Sequence, residues 1–135
     1  MITYALDSNI ITYALKGDPE IRRKMEDVTA AGNSLTMPHI VYFEIKRWLL
    51  EIGAKAKQIA FEQMLYDDVL LESLDKAVWD VAAKLYVDSR KNGKPVNDVD
   101  LIIAAFCIAN DYTLVTNNTR HFELVDGLQL VNWKR

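Results

Sequence analysis

Short apolar runs alternate along the chain with longer stretches in which apolar residues recur every three or four positions. Residues 2–6 are the first run and read as a buried strand. Asp7-Ser8-Asn9 follows with helix-capping side chains, and Ile10, Ile11, Ala14 and Leu15 then recur at helical spacing until Gly17. Asp18-Pro19 opens a second helix, with proline in the first turn, which ends at Gly32-Asn33. Residues 34–37 suggest a second strand. Pro38 starts a helix that Gly53 stops, residues 54–67 form another, and residues 69–71 suggest a third strand. Residues 75–90 are strongly amphipathic, with Ala77, Val78, Val81, Ala82, Leu85 and Tyr86 on one face. After a loop at residues 91–95, Asn97 begins a helix whose interior is almost wholly apolar, as expected of a central, buried helix. Residues 114–115 suggest a fourth strand, 117–122 a helical turn and 128–131 a fifth strand.

Strands this short and apolar, alternating with helices, predict an α/β fold with a parallel sheet covered on both faces. No repeat or Pro/Gly-rich linker divides the chain, so residues 1–135 read as one domain. In such sheets ligands bind beyond the carboxyl ends of the strands, near a topological switch point. Two polar clusters directly follow strand candidates, and a third opens the apolar helix.

Composition adds limits. The 135 residues are 50% hydrophobic and 26% charged, an ordinary globular mixture. The single cysteine rules out an intramolecular disulfide and suits a reducing compartment. No signal-peptide pattern opens the sequence and no apolar run is long enough to span a membrane, so a cytoplasmic location is expected. The net charge of −3 argues against a general nucleic-acid binder, but clustered metal-binding carboxylates would themselves lower the charge.

Three acids are candidates for such a cluster. Asp7 follows the first strand, Glu44 sits mid-helix among Val41, Ile45 and Trp48, and Asp100 lies in the first turn of the apolar helix. A hard cation such as Mg²⁺ or Mn²⁺ takes oxygen ligands of this kind and activates water for phosphodiester chemistry. Each acid also has a plain structural reading. Asp7 suits a helix cap, Asp100 a capping-box partner of Asn97, and Glu44 a solvated position beside Lys46 and Arg47. Asp98 and Asp100 do not share a helix face, so Asp100 is the preferred ligand and Asp98 a cap or supporting acid. Cys107 reads as a small core residue. His39 and His121 form no metal motif, and His121 reads as a turn or surface residue.

Four stretches together resemble the PIN-domain ribonucleases of the VapC type, the toxin halves of toxin–antitoxin pairs. They are Leu6-Asp7-Ser8-Asn9, Glu44 on its helix, residues 100–105, and residues 114–122 with the closing 127–133 segment. The resemblance covers nearly the whole chain. It implies a three-layer α/β/α sandwich around about five parallel strands and a Mg²⁺- or Mn²⁺-dependent endoribonuclease. It also implies metal ligation by Asp7 and Asp100, with Glu44 as third catalytic acid and Asn9 and Thr116 in support. Many PIN domains carry a further acid where this chain has Asn118. An amide there can position water or phosphate without adding charge, so one well-held metal is expected.

RNA is the implied substrate, with transfer RNA among the candidate targets. Lys46, Arg47, Arg90, Lys91, Lys94 and Arg120 are the candidate phosphate contacts. Tyr4, Tyr42 and Trp48 are stacking candidates, although core packing is the preferred reading for all three. The resemblance further implies a homodimer and a small VapB-type antitoxin that blocks the cleft, with Phe61, Met64 and Leu65 as a possible groove wall or as core. Two rivals remain at this level. One is a non-catalytic PIN-like module that binds RNA or protein. The other is a nuclease of another kind, either a solitary RNA-processing enzyme or a flap-type DNA nuclease, for which the chain lacks a helical arch.

Overall fold

The computed structural model describes residues 1–135. Five strands, β1 (Thr3–Leu6), β2 (Ser34–Pro38), β3 (Val69–Glu72), β4 (Thr113–Val115) and β5 (Gln129–Val131), form one sheet in the order β3-β2-β1-β4-β5, every pair parallel. Six helices connect or flank them: α1 (Ser8–Leu15), α2 (Pro19–Ala30), α3 (His39–Ile52), α4 (Lys55–Asp67), α5 (Lys76–Lys91) and α6 (Asp98–Asn110). Helices α1 to α4 contact one another, and α5 packs along α6. The result is the expected α/β/α sandwich.

Apolar spacing placed every element to within one or two residues. The helical turn of residues 117–122 is a shorter 3₁₀ turn, Thr119–His121. Strand β2 runs into α3 without a loop, because Pro38 has the extended backbone that suits a strand end and a helix cap alike (φ −77°, ψ 157°). Gly53 closes α3 in the left-handed conformation at φ 65°. Asp111 does the same for α6, at φ 57°.

Helix α6 is central, as its composition predicts. Leu101, Ile103, Ala104, Ala105, Phe106 and Cys107 are all buried. Each large apolar side chain so buried contributes roughly 1.5–3 kcal/mol. Phe61 is likewise fully buried and stacks on Tyr42 with ring centroids 5.5 Å apart, so it belongs to the core rather than to a groove wall. Met64 and Leu65 pack against that core from the side. The preferred reading of the aromatic residues also holds, since Tyr4, Tyr42 and Trp48 are half-buried against the core and Tyr4 tilts onto Trp133 at 5.3 Å. No helix is long and apolar enough to cross a membrane.

Helix α5 is held at its start by Asp75, whose carboxylate accepts from the Val78 amide at 3.2 Å. Asp75→Ala should cost about 1 kcal/mol and lower the melting temperature by a few degrees in a thermal scan.

Candidate active site

Parallel pairing of Leu6 with Val115 sets Asp7 and Thr116 side by side, each the first residue beyond the carboxyl end of its strand. The chain leaves β1 for β2 on one side and reaches β4 on the other, so this is the topological switch point, beyond which sheets of this kind bind their ligands. Because α3 follows β2 and α6 precedes β4, both helices present their N-terminal ends at this edge. Glu44 and Asp100 thereby come to the place where Asp7 already stands.

Asp7 is only 5% exposed. Its Oδ1 accepts from the Ser8 amide at 2.8 Å, and its Oδ2 accepts from Thr116 Oγ1 at 2.8 Å and Asn9 Nδ2 at 3.2 Å. Asn9 is oriented in turn, because its Oδ1 accepts from the Asn117 amide at 2.9 Å. The Thr116 hydroxyl receives the Asn118 amide at 3.0 Å, which turns its own proton toward Asp7. Burial raises the Asp7 pKa. Its hydrogen bonds pull the other way, and the negative charge of Asp100 adds to the rise. Asp7 is therefore both the helix cap and a carboxylate held in one orientation.

Asp100 makes the capping-box contact that the sequence suggests. Asn97 Oδ1 accepts from the Asp100 amide at 2.9 Å, and Asp100 Oδ2 accepts from Asn97 Nδ2 at 2.7 Å. The side chain is 14% exposed, and its negative charge is felt at Asp7. His121 Nδ1 lies 3.2 Å from the same oxygen. This neighbour went unrecognised in the sequence. The signal was positional: the turn after β4 starts at the edge where α6 begins, so its residues return beside Asp100.

Glu44 is half-buried, and its Oε1 is shielded from solvent with no hydrogen-bond partner. Burial raises its pKa, as do the charges of Asp7 and Asp100, while Arg47 and a side-chain hydrogen bond with Ser8 oppose them. The three acids thus share one electrostatic neighbourhood. No three acidic, histidine or cysteine side chains lie close enough to chelate one ion between them. That spacing still suits Mg²⁺, which typically takes one or two carboxylates and keeps several waters. The donor set is all oxygen, and the orphaned Glu44 oxygen is an acceptor in want of a positive or protic partner.

The other candidates divide. Asp98 is exposed and its side chain makes no hydrogen bond or ion pair; Asn97 caps α6 in its place, because only its side chain reaches back to the Asp100 amide. Asn118 is exposed with an unengaged amide side chain. Lys46 is paired with Glu62 at 3.3 Å. Arg47 lies over the Phe43 ring and Arg90 over the Tyr86 ring, at 5.3 and 4.8 Å from the centroids. Lys91, Lys94 and Arg120 are exposed and unpaired.

Asn9→Ala should leave Asp7 less firmly oriented. Losses of this kind cost roughly 10- to 100-fold in metal affinity or activity, which Mn²⁺ titration calorimetry would read directly.

The PIN domain family model matches residues 4–128. The chain is 29% identical over 139 aligned positions to ribonuclease VapC2 of Rickettsia felis, covering 98% of each chain. It is 26% identical over 141 positions to the tRNA(fMet)-specific endonuclease VapC of Shigella flexneri, covering 98% of this chain and 99% of that one. Among solved structures, the crystal structure of VapBC2 from Rickettsia felis bound to a promoter DNA fragment contains a similar chain. There the TM-score is 0.90 at 25% identity, covering 98% of this chain and all of that one.

Proposed function

This chain belongs to the PIN domain family, and we propose that it is a metal-dependent endoribonuclease that acts as the growth-inhibiting toxin of a toxin–antitoxin pair. The observation that carries the reading is the convergence of Asp7, Glu44 and Asp100 at the switch point, with one Glu44 oxygen buried and unpartnered. Like charges gathered in a half-buried crevice destabilise a fold unless a cation or proton offsets them.

Asp7 and Asp100 would hold Mg²⁺ or Mn²⁺, which supplies an activated water and offsets charge building on the phosphate. Asn9 and Thr116 keep the Asp7 carboxylate aimed, and Asn97 does so for Asp100. Glu44 would meet the metal directly or through water, or accept a proton from the attacking nucleophile. The free amide of Asn118 orients water or a phosphate oxygen.

The relatives' names support RNA as the substrate and transfer RNA as the first class to test. The VapBC2 complex supports a small VapB-type partner. Purified protein should cleave RNA internally in Mg²⁺ or Mn²⁺ and not in EDTA, with new ends mapped by sequencing. Intact RNA under both conditions refutes the catalytic reading and favours a binding module. A short adjacent reading frame for a DNA-binding protein supports the toxin role; its absence favours a solitary RNA-processing nuclease.

A further inference from the structure

Phe43 immediately precedes Glu44 on α3, yet its ring is 58% exposed. The helix buries Val41, Ile45 and Leu49 in the core and leaves Phe43 open on its other side, as it does Leu50 and Ile52 towards its C-terminal end. The neighbour of Phe43 one turn later is Arg47, whose guanidinium lies over the ring 5.3 Å from the centroid. One face of the ring is thus covered by a planar cation, and the rest stays open. Arg47 is also three residues from Glu44 on the same side of the helix, so it lies between the ring and the acid site. Its charge is felt at Glu44.

We infer that Phe43 and Arg47 form a nucleobase subsite, on which a base flanking the scissile phosphate of single-stranded RNA stacks while Arg47 meets the adjoining phosphate. The inference rests on the nuclease reading and names where the substrate lies along α3. Three features favour RNA over a protein as occupant. Through Arg47, whose charge reaches Glu44, the platform adjoins the carboxylates that would take a phosphodiester. It pairs an aromatic face with a guanidinium plane, the two surfaces on which unstacked bases are held. It also sets one unpaired cation beside a strongly acidic site, where a polyanion needs charge compensation. Lys46, the next basic residue on the helix, is engaged by Glu62 and does not compete for the role.

The test is fluorescence anisotropy with a short, mixed-sequence single-stranded RNA in Ca²⁺, its integrity checked on gels. Phe43→Ala should weaken binding about 5- to 150-fold, and Phe43→Tyr should restore it. Arg47→Gln should reduce the slope of log affinity against log salt by roughly 0.7. Replacing bases with abasic ribose should weaken binding by the wild type and leave the Phe43→Ala protein unaffected. Unchanged affinity in Phe43→Ala overturns the subsite, as does a failure of the wild type to bind. So does a Phe43→Ala protein that binds RNA normally but no longer binds its antitoxin, since the surface then serves a protein. Cleavage in Mg²⁺ is scored separately. Stacking-dependent binding without cleavage keeps the subsite and removes the nuclease reading, whereas cleavage that is indifferent to Phe43 does the reverse.

Discussion

Asp100→Asn is expected to lower RNA cleavage by at least about 100-fold while the protein stays folded. Residues that merely support a metal ligand cost roughly 10- to 100-fold when removed, so loss of a ligand's charge should cost at least the upper end of that range. The fold should survive for a local reason. The cap of α6 is made by the Asn97 side chain on the Asp100 backbone amide, which the substitution does not touch. An asparagine oxygen can still accept from Asn97 Nδ2, as the carboxylate does at 2.7 Å. What disappears is a negative charge near a helix N-terminus, worth about 0.3–1 kcal/mol. Asp7→Asn should abolish cleavage as well, but it is the less clean variant. Asp7 accepts from Ser8, Asn9 and Thr116, and an amide nitrogen must face at least one donor among them. Circular dichroism melts paired with a gel-based cleavage assay separate the two effects. A folded Asp100→Asn protein that cleaves at the wild-type rate would overturn the assignment of the ligands.

Much of this site was legible because it is built from local rules. Asp7 after an apolar strand and Asn97 before an apolar helix mark the two ends that meet at the switch point. The parallel alternation of strands and helices dictates which edge they share. The distinction between cap and ligand could not be drawn from the sequence, and the structure shows why. Asp7 and Asp100 each make the capping or capping-box contact and still stand at the switch point within reach of each other's charge, so a capping role does not exclude a ligand role. Asp98 was harder, because Asn97 and Asp98 both suit a cap and only three-dimensional placement shows which one reaches the Asp100 amide. His121 beside Asp100 depends on the path of the chain after β4, where apolar spacing carries no signal. Phe61 failed as a groove residue for a related reason. The sequence of α4 offers Phe61, Met64 and Leu65 as apolar residues but does not show that Tyr42 stacks on Phe61.

Glu44→Gln should act in opposite directions on stability and on catalysis. Wild-type Glu44 has a folded pKa above its ordinary 4.5, through burial first and then the charges of Asp7 and Asp100. A raised carboxylate pKa means that the folded state holds the proton more tightly than the unfolded chain. The resulting stability is fully present below the unfolded pKa and is lost as pH rises through the folded one. Glutamine does not titrate, so in EDTA the variant should melt at the same temperature as the wild type or lower in acid and at a higher temperature near neutrality. Asp7 titrates in both proteins, so the widening gap isolates Glu44. Adding Mg²⁺ should close the gap or reverse it, because a cation offsets the charge that glutamine lacks. Cleavage should fall about 100-fold or more if Glu44 accepts the proton of the attacking water, the usual range for a positioned base. Differential scanning fluorimetry at acid and neutral pH, with and without Mg²⁺, reads the stability half. A melting difference that stays constant across pH would show that Glu44 bears no unusual charge burden in the folded state. Its unpartnered oxygen would then need another explanation than a site built to meet a cation and its water.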